Sequence, residues 1–252
     1  MTPESMRPAN VLTFLVVLPF VPACGGSAPG PMAIRTAPHA QAHAPRRMVD
    51  VWGEDSAMQT AGLTGSLAPS EIGSTLRPRE EPFSACFATG AGRLRALGGQ
   101  IRLNFRIDEG GRVQHVFPVD STVGHREIEE CLLDVAYETH FPRPHGGQAE
   151  FSWFLSFEAA DPGRVPVTWD ASRVRRVVVR RSGRVLSRCR PSSSTATYQV
   201  TAYVGRSGRI ISAGAAVSDP DAVDGLDCVV EAVSRWRLPR GSRQAKVTFL
   251  LR

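Results

Sequence analysis

The residues of this chain best placed to do chemistry are its five cysteines, and their spacing sorts them. Cys24 stands alone behind an apolar N-terminal run; Cys86 and Cys131 share one segment, and Cys189 and Cys228 share a second. Such pairs could hold a metal, cycle as redox thiols or form disulfides. No CxxC occurs, and about 40 residues separate the members of each pair, which is not the close spacing of zinc or redox motifs. His125, His140 and His145 cluster in sequence with Glu127, Glu129 and Glu130. Without an HExxH pattern they read as surface residues on and beside a helix. No GxSxG, phosphate loop or Cys/His nucleophile pattern is present. The sequence therefore predicts no catalytic residues, no metal, no cofactor and no small-molecule substrate.

The isolated cysteine has its own context. Arg7 precedes an apolar run from Val11 to Phe20, which is shorter than the about 20 residues that span a bilayer and reads as an export signal. Val21-Pro22-Ala23-Cys24-Gly25 follows and resembles a bacterial lipobox, although Pro22 is off pattern. The resemblance implies a signal peptide over residues 1–23 and a lipid on Cys24. The alternative is an ordinary secretory signal cut near Ala23, which would leave a free thiol in an oxidising compartment. Gly25 rather than aspartate after the cysteine implies the periplasmic face of the outer membrane in a Gram-negative bacterium. Residues 24–67 are rich in Ala, Pro, Gly and His and read as a disordered tether. His39 and His43 lie in it, where no metal geometry is fixed.

The remainder is a repeat. Cys228 follows Cys131 by 97 residues, and the same offset pairs Gly111 with Gly208, Arg112 with Arg209, Ser121 with Ser218 and Pro142 with Pro239. The first cysteines, Cys86 and Cys189, lie 103 apart, so the second copy has lost six residues before its first strand. Each copy reads as helix, strand, strand, helix, strand: an α+β fold of two tandem small domains, over residues 68–160 and 169–252. Ile101, Leu103, Phe105 and Ile107 alternate with polar residues as a half-buried strand. Asp108-Glu109-Gly110-Gly111 turns the chain. Ile128, Cys131, Leu132, Val135 and Ala136 mark one helix face. In the second copy Asp219 and Pro220 start a helix with Ala222, Leu226, Val229, Val230 and Val233 as its stripe. Val174, Val177, Val178 and Val185 suit a leading helix ending near Cys189, yet Ser182-Gly183 could equally turn a hairpin. Four cysteines allow three connectivities. Matched positions in the two copies favour one disulfide in each, Cys86–Cys131 and Cys189–Cys228.

Several of these features resemble the C-terminal domain of AgmX/PglI-type gliding-motility proteins, a relative of the TonB C-terminal domain. They are Cys86, Gly99 to Phe105, Gly110-Gly111-Arg112-Val113, Cys131, Phe141 to Gly147 and the aromatic strand Phe151 to Phe157. The second copy is a divergent match. The resemblance covers about two thirds of the chain and implies a small sheet packed on helices with a periplasmic interaction role. It does not imply energy transduction, which would need an N-terminal membrane helix.

The net charge of +6 comes from Arg, with Lys246 the one lysine. That skew is what a G+C-rich genome produces, so Arg at one position is not by itself a sign of anion recognition. The densest basic stretch is Arg173 to Arg190. Arg175, Arg176, Arg180 and Arg181 in it are the candidate anion-binding residues, for lipid headgroups or other envelope polyanions. Nucleic acid is disfavoured by export. The expectation is a non-catalytic lipoprotein held to the membrane by its anchor, whose partners are envelope proteins.

Overall fold

A computed structural model of the chain describes residues 65–252, except 92, 93, 95, 160–162 and 164. The signal, Cys24, His39 and His43 lie outside the described residues. The last three residues assigned to the tether belong to the fold instead. Gly65 N–H donates to the Gln148 carbonyl at 3.0 Å, Ser66 bridges His145, and Leu67 is buried.

The first half runs α1 (Pro69–Leu76), a 3-10 turn (Arg77–Arg79), α2 (Glu80–Ala91), β1 (Gly99–Ile107), β2 (Val113–Ser121), α3 (Arg126–Tyr137) and β3 (Ala149–Phe157). A short strand, β4 (Val167–Trp169), leads into the second half. There α4 (Arg175–Cys189), β5 (Tyr198–Val204), β6 (Ile210–Val217), a 3-10 turn (Pro220–Gly225), α5 (Leu226–Ser234) and β7 (Ala245–Leu251) repeat the order. Helix α4 runs unbroken through Ser182 and Gly183, which rejects the hairpin. Its buried positions Val178, Val185, Leu186 and Cys189 share one helical face.

Two sheets result, ordered β2-β1-β3 and β4-β7-β5-β6, antiparallel except that β4 runs parallel to its neighbour; in each, the strand after the second helix returns beside the first strand of the hairpin. Ile101, Leu103, Phe105 and Ile107 are fully buried under the helices. Both disulfides have the expected connectivity, Cys86–Cys131 joining α2 to α3 and Cys189–Cys228 joining α4 to α5.

The repeat is also geometric. Gly111 and Gly208 both take positive φ, +88° and +79°. The carbonyl of each accepts from the loop that follows the next helix, Phe141 N–H at 2.8 Å and Leu238 N–H at 2.9 Å. A Cβ on either glycine would lie 2.1 Å from a backbone oxygen, so both conformation and space require glycine.

The halves are not separate beads. Strands β2 and β6, each the outer strand of its sheet, pack against each other. Phe117 of β2 sits opposite Asn104, on the face turned away from its own helices. It is buried in the second half's core, while Tyr203 of β5 is buried in the first half's.

The Cys189–Cys228 crosslink closes a sequence separation of 39 residues, for which chain entropy predicts about 4 kcal/mol of stability. Replacing both cysteines with Ala should therefore cost between about 2 and 4 kcal/mol in urea unfolding. An unchanged midpoint would show that the crosslink does not stabilise this fold.

Candidate functional site

Three features stand out: a basic groove, an open sheet edge and a sealed seam between the halves. The groove lies between α4 and the C-terminal end of α5. Its volume is about 600 Å³, and its walls carry Arg180, Arg181, Arg184, Arg188, Arg235 and Arg237 over a floor of Val177, Val185, Ala232 and Trp236. Leu186 and Cys189 anchor α4 on the core. Because the Cys189–Cys228 disulfide ties the end of α4 to the start of α5, the groove walls are fixed relative to each other.

Of the four arginines expected to bind anions, Arg180 and Arg181 line the groove, whereas Arg175 and Arg176 are exposed outside it. Sequence reasoning did not single out Arg184, Arg188, Arg235 and Arg237. The spacing signal was present: Arg176, Arg180, Arg184 and Arg188 follow at i, i+4, i+8 and i+12. Like charges so placed on a helix oppose it by about 0.2–0.5 kcal/mol per pair. Helix α4 has no acidic residue. Among the described residues, Glu231 beside Arg235 is the one carboxylate that pairs with a groove arginine.

The open edge is β3. Gln100 uses its N–H and C=O on the β2 side, bonding Thr122. Its pairing with Ser156 is therefore a non-hydrogen-bonded one, and the backbone groups of Glu150, Ser152, Phe154 and Ser156 point outward. Gly65 occupies the next outward carbonyl, that of Gln148. Beyond it, no strand among the described residues pairs with this side of β3. Phe154 is half exposed and lies 5.3 Å from the Arg102 guanidinium. In the second half β4 covers Ala245 to Val247, part of the corresponding edge of β7.

At the seam, Glu129 is completely buried. This corrects the expectation that the acidic residues of α3 lie on the surface. Ser121 Oγ donates to its Oε1 at 2.6 Å, and Ala215 N–H, from the other half, donates to its Oε2 at 2.9 Å. Any side chain at Gly214 would strike this carboxyl, since a Cβ there would lie 2.2 Å from Oε1. Burial holds the Glu129 pKa above the ordinary range, against the opposing pull of Ser121, Ala215, Arg126 and the Gly124 backbone.

A second set of contacts closes the other end of the seam. The Tyr203 hydroxyl accepts from Gly98 N–H and donates to Gly98 C=O, and Lys246 Nζ donates to the same oxygen at 2.6 Å. Burial pushes Tyr203 up to about 12 and Lys246 down to about 8. Outside, Arg126 Nε reaches Asp227 at 2.6 Å. The sequence signal for this seam was the small-residue run Ala213-Gly214-Ala215-Ala216, which lets another backbone approach closely.

His140 takes part in a backbone bridge with Arg112, and His145 in one with Ser66. No group of three metal-ligating side chains occurs among the described residues.

The raised Glu129 pKa makes a pH prediction. Folding favours the protonated carboxyl, so this contribution is greatest in acid and falls as pH rises from the ordinary carboxylate value through the raised one. Glu129→Gln keeps both bonds, its amide oxygen accepting from Ala215 and its NH₂ donating to Ser121. As pH rises from the ordinary carboxylate value, urea midpoints should fall more steeply in wild type than in this variant; parallel profiles would contradict the assignment. No protein-family model, no curated protein and no solved structure matches this chain.

Proposed function

We propose that this chain is a non-catalytic envelope lipoprotein, tethered through Cys24 to the periplasmic face of the outer membrane, that acts as a protein-interaction adaptor in an envelope or motility assembly. Its two halves are divergent relatives of the TonB-type C-terminal domain. The observation that carries this reading is the open edge of β3, where four outward residues present unpaired backbone groups over the span from Glu150 to Ser156. Such an edge takes up an extended segment of another protein by strand addition. Main-chain bonds supply affinity and alternate side chains supply specificity. The exposed Phe154 is the natural specificity contact. Two disulfides support an oxidising compartment, and the apolar run before Cys24 supports export.

A second reading, that of an envelope-polyanion binder acting through the second half, is favoured by the arginines of α4 and the groove they line.

In-cell crosslinking followed by affinity capture tests the adaptor. Ser152→Pro removes an outward N–H from an edge strand, where proline is tolerated, and should leave the fold intact while blocking strand addition. One envelope protein should be captured by wild type and lost with both Ser152→Pro and Cys24→Ala. Capture indifferent to both substitutions would overturn the reading.

A further inference from the structure

We infer that the groove between α4 and α5 is a binding site for a small molecule carrying two or more closely spaced phosphate groups. The inference rests on the polyanion reading and deepens it by assigning the site, the residues and the ligand class.

The chain contains its own control for arginine bias. At the repeat offsets of 103 for the leading helices and 97 for the rest, each groove arginine has a counterpart in the first half. Arg180 matches Arg77, but Arg181 matches Pro78, Arg184 matches Glu81 and Arg188 matches Ala85. Arg235 matches Glu138, and Arg237 matches His140. The register holds in the core, where Leu186 and its counterpart Phe83 are both buried next to their cysteines' disulfides. A genome that favours Arg over Lys acts on both halves alike. It does not explain six arginines around one groove where the other half has one arginine and two glutamates. In the first half, moreover, Arg79 lies 3.8 Å from Glu138 and donates to the Val135 carbonyl, so that region satisfies its own charge. The second half does not: five of its six groove arginines have no carboxylate partner among the described residues.

The dimensions suit a compact ligand. About 600 Å³ is on the scale of small-molecule sites, roughly 300–1,000 Å³. Arginines four apart on a helix step by about 6 Å along its axis, so Arg180, Arg184 and Arg188 engage successive anionic groups rather than one ion. Guanidinium groups bind phosphate oxygens in pairs, and the disulfide holds the two walls in place without a ligand. A free oligophosphate and a multiply phosphorylated lipid headgroup share this chemistry.

Titration calorimetry on the full chain at low salt separates the sources. The probes are tripolyphosphate for the first and inositol 1,4-bisphosphate for the second, with inorganic phosphate as reference. At least one of the two should bind at least tenfold more tightly than inorganic phosphate. Arg184→Glu installs the residue that the first half carries and creates favourable i,i+4 pairs with Arg180 and Arg188. It should therefore keep or raise the unfolding midpoint while weakening binding at least tenfold, and Arg188→Gln should weaken binding too. Arg175→Gln with Arg176→Gln, outside the groove, should change binding less than threefold. Binding lost in that outer pair but kept in Arg184→Glu would overturn the groove assignment and leave the polyanion reading standing. No binding of either probe would overturn the site itself, and loss of retention on a sulfated polysaccharide column would then remove the polyanion reading as well.

Discussion

The contact between Glu129 and the Ala215 amide determines how the two halves of this protein meet. Glu129 is a helix residue with no solvent contact, and a buried carboxyl is costly unless its oxygens are bonded. One oxygen is served by Ser121 within its own half and the other by β6 of the second half. If the halves separated, the carboxyl and the Ala215 amide would both lose their partner. The space for this bond exists because residue 214 is glycine and its neighbours are alanines. The surrounding contacts all follow from this approach. Thr201 Oγ1 donates to the Ser121 carbonyl, Ser212 Oγ donates to that of Gly124, and Gln199 accepts from Ser121 N–H. So does the burial of Tyr203 and Phe117 in the opposite halves' cores.

Joining the halves along β2 and β6 leaves different surfaces on each. The first half keeps an open edge at β3 and a charge-balanced equivalent of the groove. The second half has part of the corresponding edge covered by β4 and gains the arginines. A duplicated unit whose copies are locked together can diverge in this way, because each copy's fold is supported by the shared seam rather than by its exposed residues.

Most of the fold was legible because it rests on local periodicity. The alternation from Ile101 to Ile107, the stripe of α3 and the glycine turns at Gly111 and Gly208 each specify an element without reference to the other half. Cysteines at matched positions in a repeat specified the connectivity. What stayed hidden depends on the second layer of contact. Glu129 borders the stripe of Ile128, Leu132 and Ala136, about 20° round the helix from Ala136, so it was its charge and not its position that read as surface; its second bonding partner, Ala215, comes from the other half. Tyr203 sits on the face of β5 that alternation assigns to water, yet β5 is buried on both sides, as near-continuous apolar strands are. The groove was half legible. Its arginines were in plain view in the sequence, but which of them converge depends on where α5 ends, at Ser234, and so on where Arg235 and Arg237 fall.

The amide of Ala215 gives the most direct measure of whether the seam makes the halves one unit. It lies on the outer strand β6, and its hydrogen-bond acceptor is the Glu129 carboxyl of the other half. Native-state hydrogen exchange should show this amide opening only with the global unfolding that releases Leu103 in the centre of the first sheet. Exchange of Ala215 through a lower-energy opening, with Leu103 still protected, would show that the halves part while folded and would contradict the account.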